Sequence, residues 1–125
     1  MISIGVDVLK FERLSLSVQD QHFLEKNFTE FEIKYRKNAL NQNKAVYFSK
    51  ILSCKEAIFK AMNIEAVNLR NWREIEIILQ NGKAPEAKID PALTERLNLS
   101  PIEIQLSLSY ETDFICAVAL VISGG

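Results

Sequence analysis

The sequence is poor in the residues that build special architectures. Its 125 residues include two cysteines, three prolines, four glycines, one tryptophan and one histidine. Cys54 and Cys116 lie far apart and match no metal-ligand spacing, which excludes a cysteine-built metal site. Both sit among apolar neighbours and read as buried, reduced thiols. His22, on a helical stretch beside Phe23, has no second histidine with which to hold a metal, so it reads as a partly exposed structural residue. Long hydrophobic runs are missing as well. The longest, Phe114 to Ile122, is far too short to cross a bilayer as a helix. The N-terminus shows no basic start, apolar run or small-residue cleavage site of a signal peptide. The expectation is a cytoplasmic protein without membrane segments. The formal net charge of −1 excludes a general field for nucleic acid and leaves room only for local patches.

What is present is an ordinary globular composition, 48% hydrophobic and 25% charged, at the length of one domain spanning residues 1–125. No repeat, low-complexity tract or linker interrupts it. From Met1 to Leu9 the apolar residues Ile2, Ile4, Val6 and Val8 alternate with Met1, Ser3, Gly5 and Asp7, which predicts a strand with Asp7 and Gly5 opposite its aliphatic side. A helical stretch from Lys10 to Lys26, broken near Ser17, is expected next. Thr29 and Glu32 form a T-x-x-E capping box, with Phe28 and Ile33 as its hydrophobic staple, for a helix running to about Asn38. Between Asn43 and Met62, Phe48, Ile51, Leu52, Cys54, Ile58, Phe59 and Met62 recur at helical spacing, so a long helix buries that face. Two short strands, about Glu74–Leu79 and Ala87–Ile89, flank an Asn81-Gly82 turn. Asp90-Pro91 starts a short helix ending near Asn98. Ile102–Ser109 and Phe114–Ile122 form a final hairpin, whose last strand is apolar on both faces and therefore central or covered at an interface. The order predicts a small α+β domain with an antiparallel sheet packed on a long helix.

Two carboxylates stand out. Asp7 follows Gly5 and Val6 in an apolar strand, where an ionised carboxylate needs a partner or a metal if buried. The plainer reading is a solvated strand end or a cap for the next helix. Glu56 lies beside the buried stripe of the long helix, and its plainer reading is a surface pair with Lys60 at i,i+4. A strand carboxylate and a helix carboxylate together suit magnesium, which takes one or two protein carboxylates and completes its shell with water and phosphate. Ser107 and Ser109 lack the surroundings of a nucleophilic serine, and Trp72 reads as packing.

Taken together, Gly5-Val6-Asp7, Phe28-Thr29-Glu30, Lys55-Glu56-Ala57 with Lys60-Ala61, Asn81-Gly82-Lys83 and Ser107-Leu108-Ser109 resemble the holo-acyl-carrier-protein synthase family, in the family's order and over nearly the whole chain. The resemblance implies a 4′-phosphopantetheinyl transferase. Such an enzyme moves the 4′-phosphopantetheine arm of coenzyme A onto a serine of an apo acyl carrier protein and releases 3′,5′-ADP, in fatty acid or polyketide synthesis. It implies Asp7 and Glu56 as Mg2+ ligands, Glu56 and Lys60 as catalytic residues, and Lys55, Lys60, Asn63 and Tyr110 as coenzyme A contacts. It also implies Lys10 and Arg13 on one helical face as contacts to an acidic carrier protein, and a homotrimer with coenzyme A between subunits. The chain departs from the family where Asn63-Ile64-Glu65-Ala66 replaces a glycine-rich segment, where Tyr110 replaces a histidine, and where Ile51, next to Lys50, replaces an arginine. Two alternatives stand beside the enzyme: a non-catalytic homologue that binds carrier protein or merely assembles, and an unrelated α+β interaction module.

Overall fold

The computed structural model describes residues 1–36, 43–63, 69–99 and 101–124. Strand β1, Ile2–Lys10, opens the chain. The expected helix after it is instead two 3-10 turns, Phe11–Leu14 and Ser17–Gln19, followed by α1, Gln21–Asn27, capped by Asp20. Helix α2, Glu30–Tyr35, begins at the capping box: Glu32 N donates to Thr29 Oγ1, and Thr29 N donates to Glu32 Oε1. The expected extension to Asn38 lies outside the described residues. Helix α3, Lys44–Ala61, runs between an Asn43 N-cap and a Met62 C-cap, as its periodicity predicts. Strands β2, Ile75–Ile78, and β3, Glu86–Ile89, form a separate two-stranded ribbon. Only Gly82 takes a positive φ, +74°, in a connection longer than the tight turn expected there. Helix α4, Pro91–Leu97, carries the Asp90 cap and ends on Asn98 in the left-handed conformation. Strands β4, Ile102–Glu111, and β5, Phe114–Ser123, form the last hairpin.

The main sheet has the order β1-β5-β4, all antiparallel, with the apolar β5 in the centre. This is the mixed α+β architecture expected, with α3 laid across the sheet. Strand alternation puts Gly5, Asp7, Ala117, Ala119 and Val121 on the face turned to α3. That face is lined by small residues, and α3 meets it with Ser49, Ser53, Ala57 and Ala61, all buried. The approach is closest at Gly5. A Cβ there would stand 2.0 Å from the Ala57 carbonyl oxygen and 2.6 Å from Ala61 N, so no other residue fits without moving the helix. The other side of α3 carries Tyr47, Phe48, Ile51 and Ile58 into a core shared with Leu24, Phe28, Ile75 and Ile77. A helix buried on both sides shows a broader apolar surface than the single stripe read from spacing.

The aliphatic side of β1 faces outward. Ile2, Ile4, Val6 and Val8 are 72%, 65%, 46% and 61% exposed, and Phe114 and Val118 continue the patch on β5. Cys116 lies half-buried on this outer face, which corrects its expected burial, whereas Cys54 is buried in α3 with its thiol pushed up to about 12 by burial first of all.

Candidate functional site

Strand β1 and helix α3 bring three charged side chains together. Asp7, late in β1, is buried on the helix-facing side, where it needs partners. Ser53 Oγ donates to Asp7 Oδ2 at 2.9 Å. Lys60, two turns farther along α3, places Nζ 3.3 Å from Asp7 Oδ1 and 3.0 Å from the Val6 carbonyl oxygen. Glu56 lies between Ser53 and Lys60 on the same helix, close enough to Asp7 for its carboxyl to respond to that charge. Burial first, then Asp7 itself, pushes the Glu56 carboxyl up to about 7, and the Lys60 ammonium only partly opposes this. The surface Glu56–Lys60 pair, the plainer reading of that spacing, is absent among the ion pairs of the described residues; Lys60 pairs with Asp7 instead.

The cluster is open on one side. Asp7 is 7% exposed at its side chain, while Lys60 is 55% exposed and retains donor capacity toward a ligand. Two neighbouring carboxyl groups, one buried and one half-buried, have the donor chemistry of a site for a divalent hard metal, and magnesium fits with two protein carboxylates. No group of three or more potential metal ligands occurs among the described residues, so water and a ligand's own oxygens would fill the remaining positions.

Lys55 corrects the sequence reading. It is wholly buried, on the side of α3 turned away from Asp7. All three of its protons are used, by Glu32 Oε1 at 2.8 Å, Asn27 O at 3.0 Å and Trp72 O at 3.0 Å, so it has none to offer coenzyme A. Glu32 in turn accepts from Ile77 N at 2.7 Å. Burial pushes Glu32 up and Lys55 down, and each partner's charge opposes the shift of the other. Spacing gave no warning of this, because Lys55 and Lys60 both fall among apolar residues and only the packing of α1 and α2 decides which is covered.

The other expected residues lie apart from the cluster. Tyr110, at the end of β4, is exposed and stands near Phe11, with Lys50 Nζ 5.2 Å from its ring centroid. Lys50 also lines a cavity of about 250 Å³ with Lys83, Asn81, Tyr35 and Ser107. Burial lowers the pKa of Lys50, and no acid pairs with it among the described residues. Ile51 is fully buried in the core and does not take up the role of the arginine it replaces. Asn63 follows α3 with φ +53°, a left-handed conformation that glycine adopts most readily and asparagine tolerates. The segment 64–66 lies outside the described residues. Lys10 ends β1 rather than sharing a helical face with Arg13, which lies in the 3-10 turn; Lys10 Nζ is 3.7 Å from Glu12. His22 is exposed in the first turn of α1, and Trp72 packs against Phe59 at 5.5 Å between ring centroids. Sequence reasoning missed Ser53, whose place on the small-residue side of α3 was its only signal.

Comparison with known proteins shows the family. The model of the 4′-phosphopantetheinyl transferase superfamily matches residues 3–119, and the chain belongs to that superfamily. A holo-[acyl-carrier-protein] synthase of Chlamydia felis is 30% identical over 97% of this chain and 98% of its own. The fatty acid synthase alpha subunit hexA of Dothistroma septosporum is 31% identical over 98% of this chain, which spans only 7% of that much longer protein. Among solved structures, the ACPS–CoA complex of Chronobacterium ammoniagenes superposes with a TM-score of 0.83, covering 100% of this chain and 99% of that one at 19% identity, a likeness of fold. No helix of the described residues is long and apolar enough to cross a membrane.

Proposed function

We propose that this chain, as one domain over residues 1–125, is a magnesium-dependent 4′-phosphopantetheinyl transferase acting on coenzyme A and an apo acyl carrier protein. The observation that carries the reading is the Asp7–Glu56–Lys60 cluster. Asp7 and Glu56 are the residues that would hold Mg2+, which supplies charge neutralisation for a pyrophosphate when bound. Lys60, half free of its protein partners, donates to a phosphate oxygen and steadies the charge that grows there. A carrier serine hydroxyl attacks the β-phosphorus; the new Ser O–P bond forms, the anhydride bond breaks, and 3′,5′-ADP leaves. Glu56 takes the serine proton.

The rest of the coenzyme has a fitting place. Lys50 and Lys83 line one cavity, and a half-buried lysine with no acid paired to it among the described residues suits an anionic ligand. Lys50 and Tyr110 stand where the family's arginine and histidine are altered, and Asn63 keeps a backbone conformation that glycine favours, so cofactor binding is modified rather than lost. Arg13, exposed just beyond β1, and Lys10 offer positive charge to an acidic carrier. The exposed aliphatic face of β1 and β5 is a subunit interface of a homotrimer, since so contiguous an apolar patch is unusual on a monomer. A cytoplasmic setting, where coenzyme A is available, completes the proposal.

The test is incubation with coenzyme A, magnesium and a panel of apo carrier proteins, with those of fatty acid synthesis first because the relatives named above are fatty acid synthase and holo-[acyl-carrier-protein] synthase proteins. The expected result is a carrier heavier by one phosphopantetheine group, with 3′,5′-ADP released. No transfer to any carrier, together with no coenzyme A binding, replaces the enzyme with a non-catalytic homologue.

A further inference from the structure

Lys55 and Glu32 form the driest charged pair among the described residues, each with a fully buried side chain. A buried ion pair is weak evidence for stability, because apolar residues of similar volume often do as well. Its geometry shows something more specific. Lys55 Nζ reaches the end of α1 through Asn27 O, α2 through Glu32, and the turn before β2 through Trp72 O. Glu32 Oε2 accepts from Ile77 N in β2, and Tyr47 Oη donates from α3 to Glu32 O at 2.7 Å. One side of α3 is thus tied at Tyr47 and Lys55 to α1, α2 and β2.

The opposite side of α3 carries the carboxylate cluster. There, Ser53 and Lys60 tie α3 to Asp7, and neither tie holds Glu56 itself. The small-residue contact at Gly5 lets α3 come close but holds it only through packing. An α-helix that slips by one residue moves a side chain by about 1.5 Å along the axis and about 100° around it. Such a slip would take Glu56, next in sequence to Lys55, out of reach of Asp7.

We propose that the Lys55–Glu32 pair is a positioning device that fixes the axial and rotational setting of α3 and so holds Glu56 beside Asp7. The inference rests on the metal-site reading above. It gives Lys55 a role in the reaction without contact to coenzyme A: the pair acts through Glu56.

The test uses the full chain with Lys55→Met and Glu32→Gln combined. This double variant removes both buried charges, while the amide oxygen of the introduced glutamine still accepts from Thr29 N and keeps the capping box. Manganese, as the probe ion, is titrated calorimetrically at a temperature where circular dichroism shows the variant folded, and a crystal structure reads the Glu56 position. The expected result is at least tenfold weaker manganese binding, with Glu56 displaced from Asp7 and kcat lowered more than KM for coenzyme A. Unchanged binding with Glu56 still on Asp7 in a folded variant overturns the inference. If wild type binds no manganese, the metal reading falls, and the crystallographic position of Glu56 alone decides: displaced supports the inference, in place overturns it. If the double variant does not fold, Lys55→Arg, which keeps the buried charge but alters the geometry of its bond to Glu32, decides instead. About threefold weaker manganese binding supports the proposal, and no change overturns it.

Discussion

Helix α3 carries two lysine–carboxylate pairs about one turn apart, and they have opposite characters. Lys55 with Glu32 is wholly enclosed, with every proton of the ammonium assigned. Lys60 with Asp7 is enclosed at the acid and open at the base, and a second acid, Glu56, makes the cluster unbalanced. The first pair is complete and has nothing left to bind. The second is short of positive charge and keeps a lysine at the solvent edge. A complete pair serves the fold, whereas an incomplete one invites a ligand. The two lysines differ in neither type nor helical context, so the difference comes from what the rest of the chain lays against each side of α3.

The largest effect should come from breaking the complete pair on one side only. Lys55→Met leaves Glu32 buried without its cation, so about 3–5 kcal/mol of stability should be lost, read from urea melts. A loss under about 1 kcal/mol would mean that the pair is not as dry as its geometry shows.

Breaking the incomplete cluster should have the reverse signature. Glu56→Gln keeps the helix, since both residues suit it, but removes a ligand charge and a base. Transfer to the carrier should fall by about 100-fold or more, equivalent to about 2.7 kcal/mol of barrier, while the melting temperature at pH 5 barely moves. Asp7→Asn should follow the same pattern. Equal losses of stability and activity in these variants would erase the contrast between the pairs.

The contrast sharpens with pH when magnesium is chelated. The Glu56 carboxyl is raised from 4.5 to about 7 in the folded protein, chiefly by burial and then by Asp7. A carboxyl raised on folding stabilises the protein fully below about pH 4.5, and that contribution is lost as pH rises through 7. For a group open to screening, the loss should be about 1–3 kcal/mol. Thermal melts in a chelator from pH 5 to 8 should show it in wild type and not in Glu56→Gln, with added magnesium restoring wild type at pH 8. Parallel profiles for the two proteins would remove Glu56 as the titrating group.

The smallest effect should lie away from both pairs. Tyr110→Ala removes the ring under Lys50 at the cavity end of the sheet. The KM for coenzyme A should rise by about tenfold or less, with kcat nearly unchanged. A fall in kcat alone would move Tyr110 into the reacting centre.

Local patterns were legible in the sequence because their causes are local. The Thr29–Glu32 box, the Asn43-to-Met62 periodicity, the Asp90-Pro91 start and the alternation in β1 each depend on neighbours within about one or two turns, and each appears in the structure. The 10–26 stretch was less legible, since its apolar residues allow helix but settle into two 3-10 turns and the short α1. The candidate site was legible as residue types, through Asp7, Glu56 and Lys60 in a family pattern. Its wiring was not: the Glu56–Lys60 pair that spacing suggests gives way to Lys60 on Asp7, with Ser53 as a further partner.

By itself, then, the sequence determined which segments are helix or strand, where α2, α3 and α4 begin, and which side chains share a face. Those follow from backbone geometry with a period of two or 3.6 residues. Only the tertiary structure decided which of two faces is covered. It turned the Gly5–Asp7 side of β1 inward and left Ile2, Ile4, Val6 and Val8 outside, because the close approach of α3 admits small residues and not an aliphatic row. It likewise sealed Lys55 and left Lys60 open, because α1, α2 and the turn at Trp72 cover one side of the helix and reach it only through contacts between residues distant in the chain.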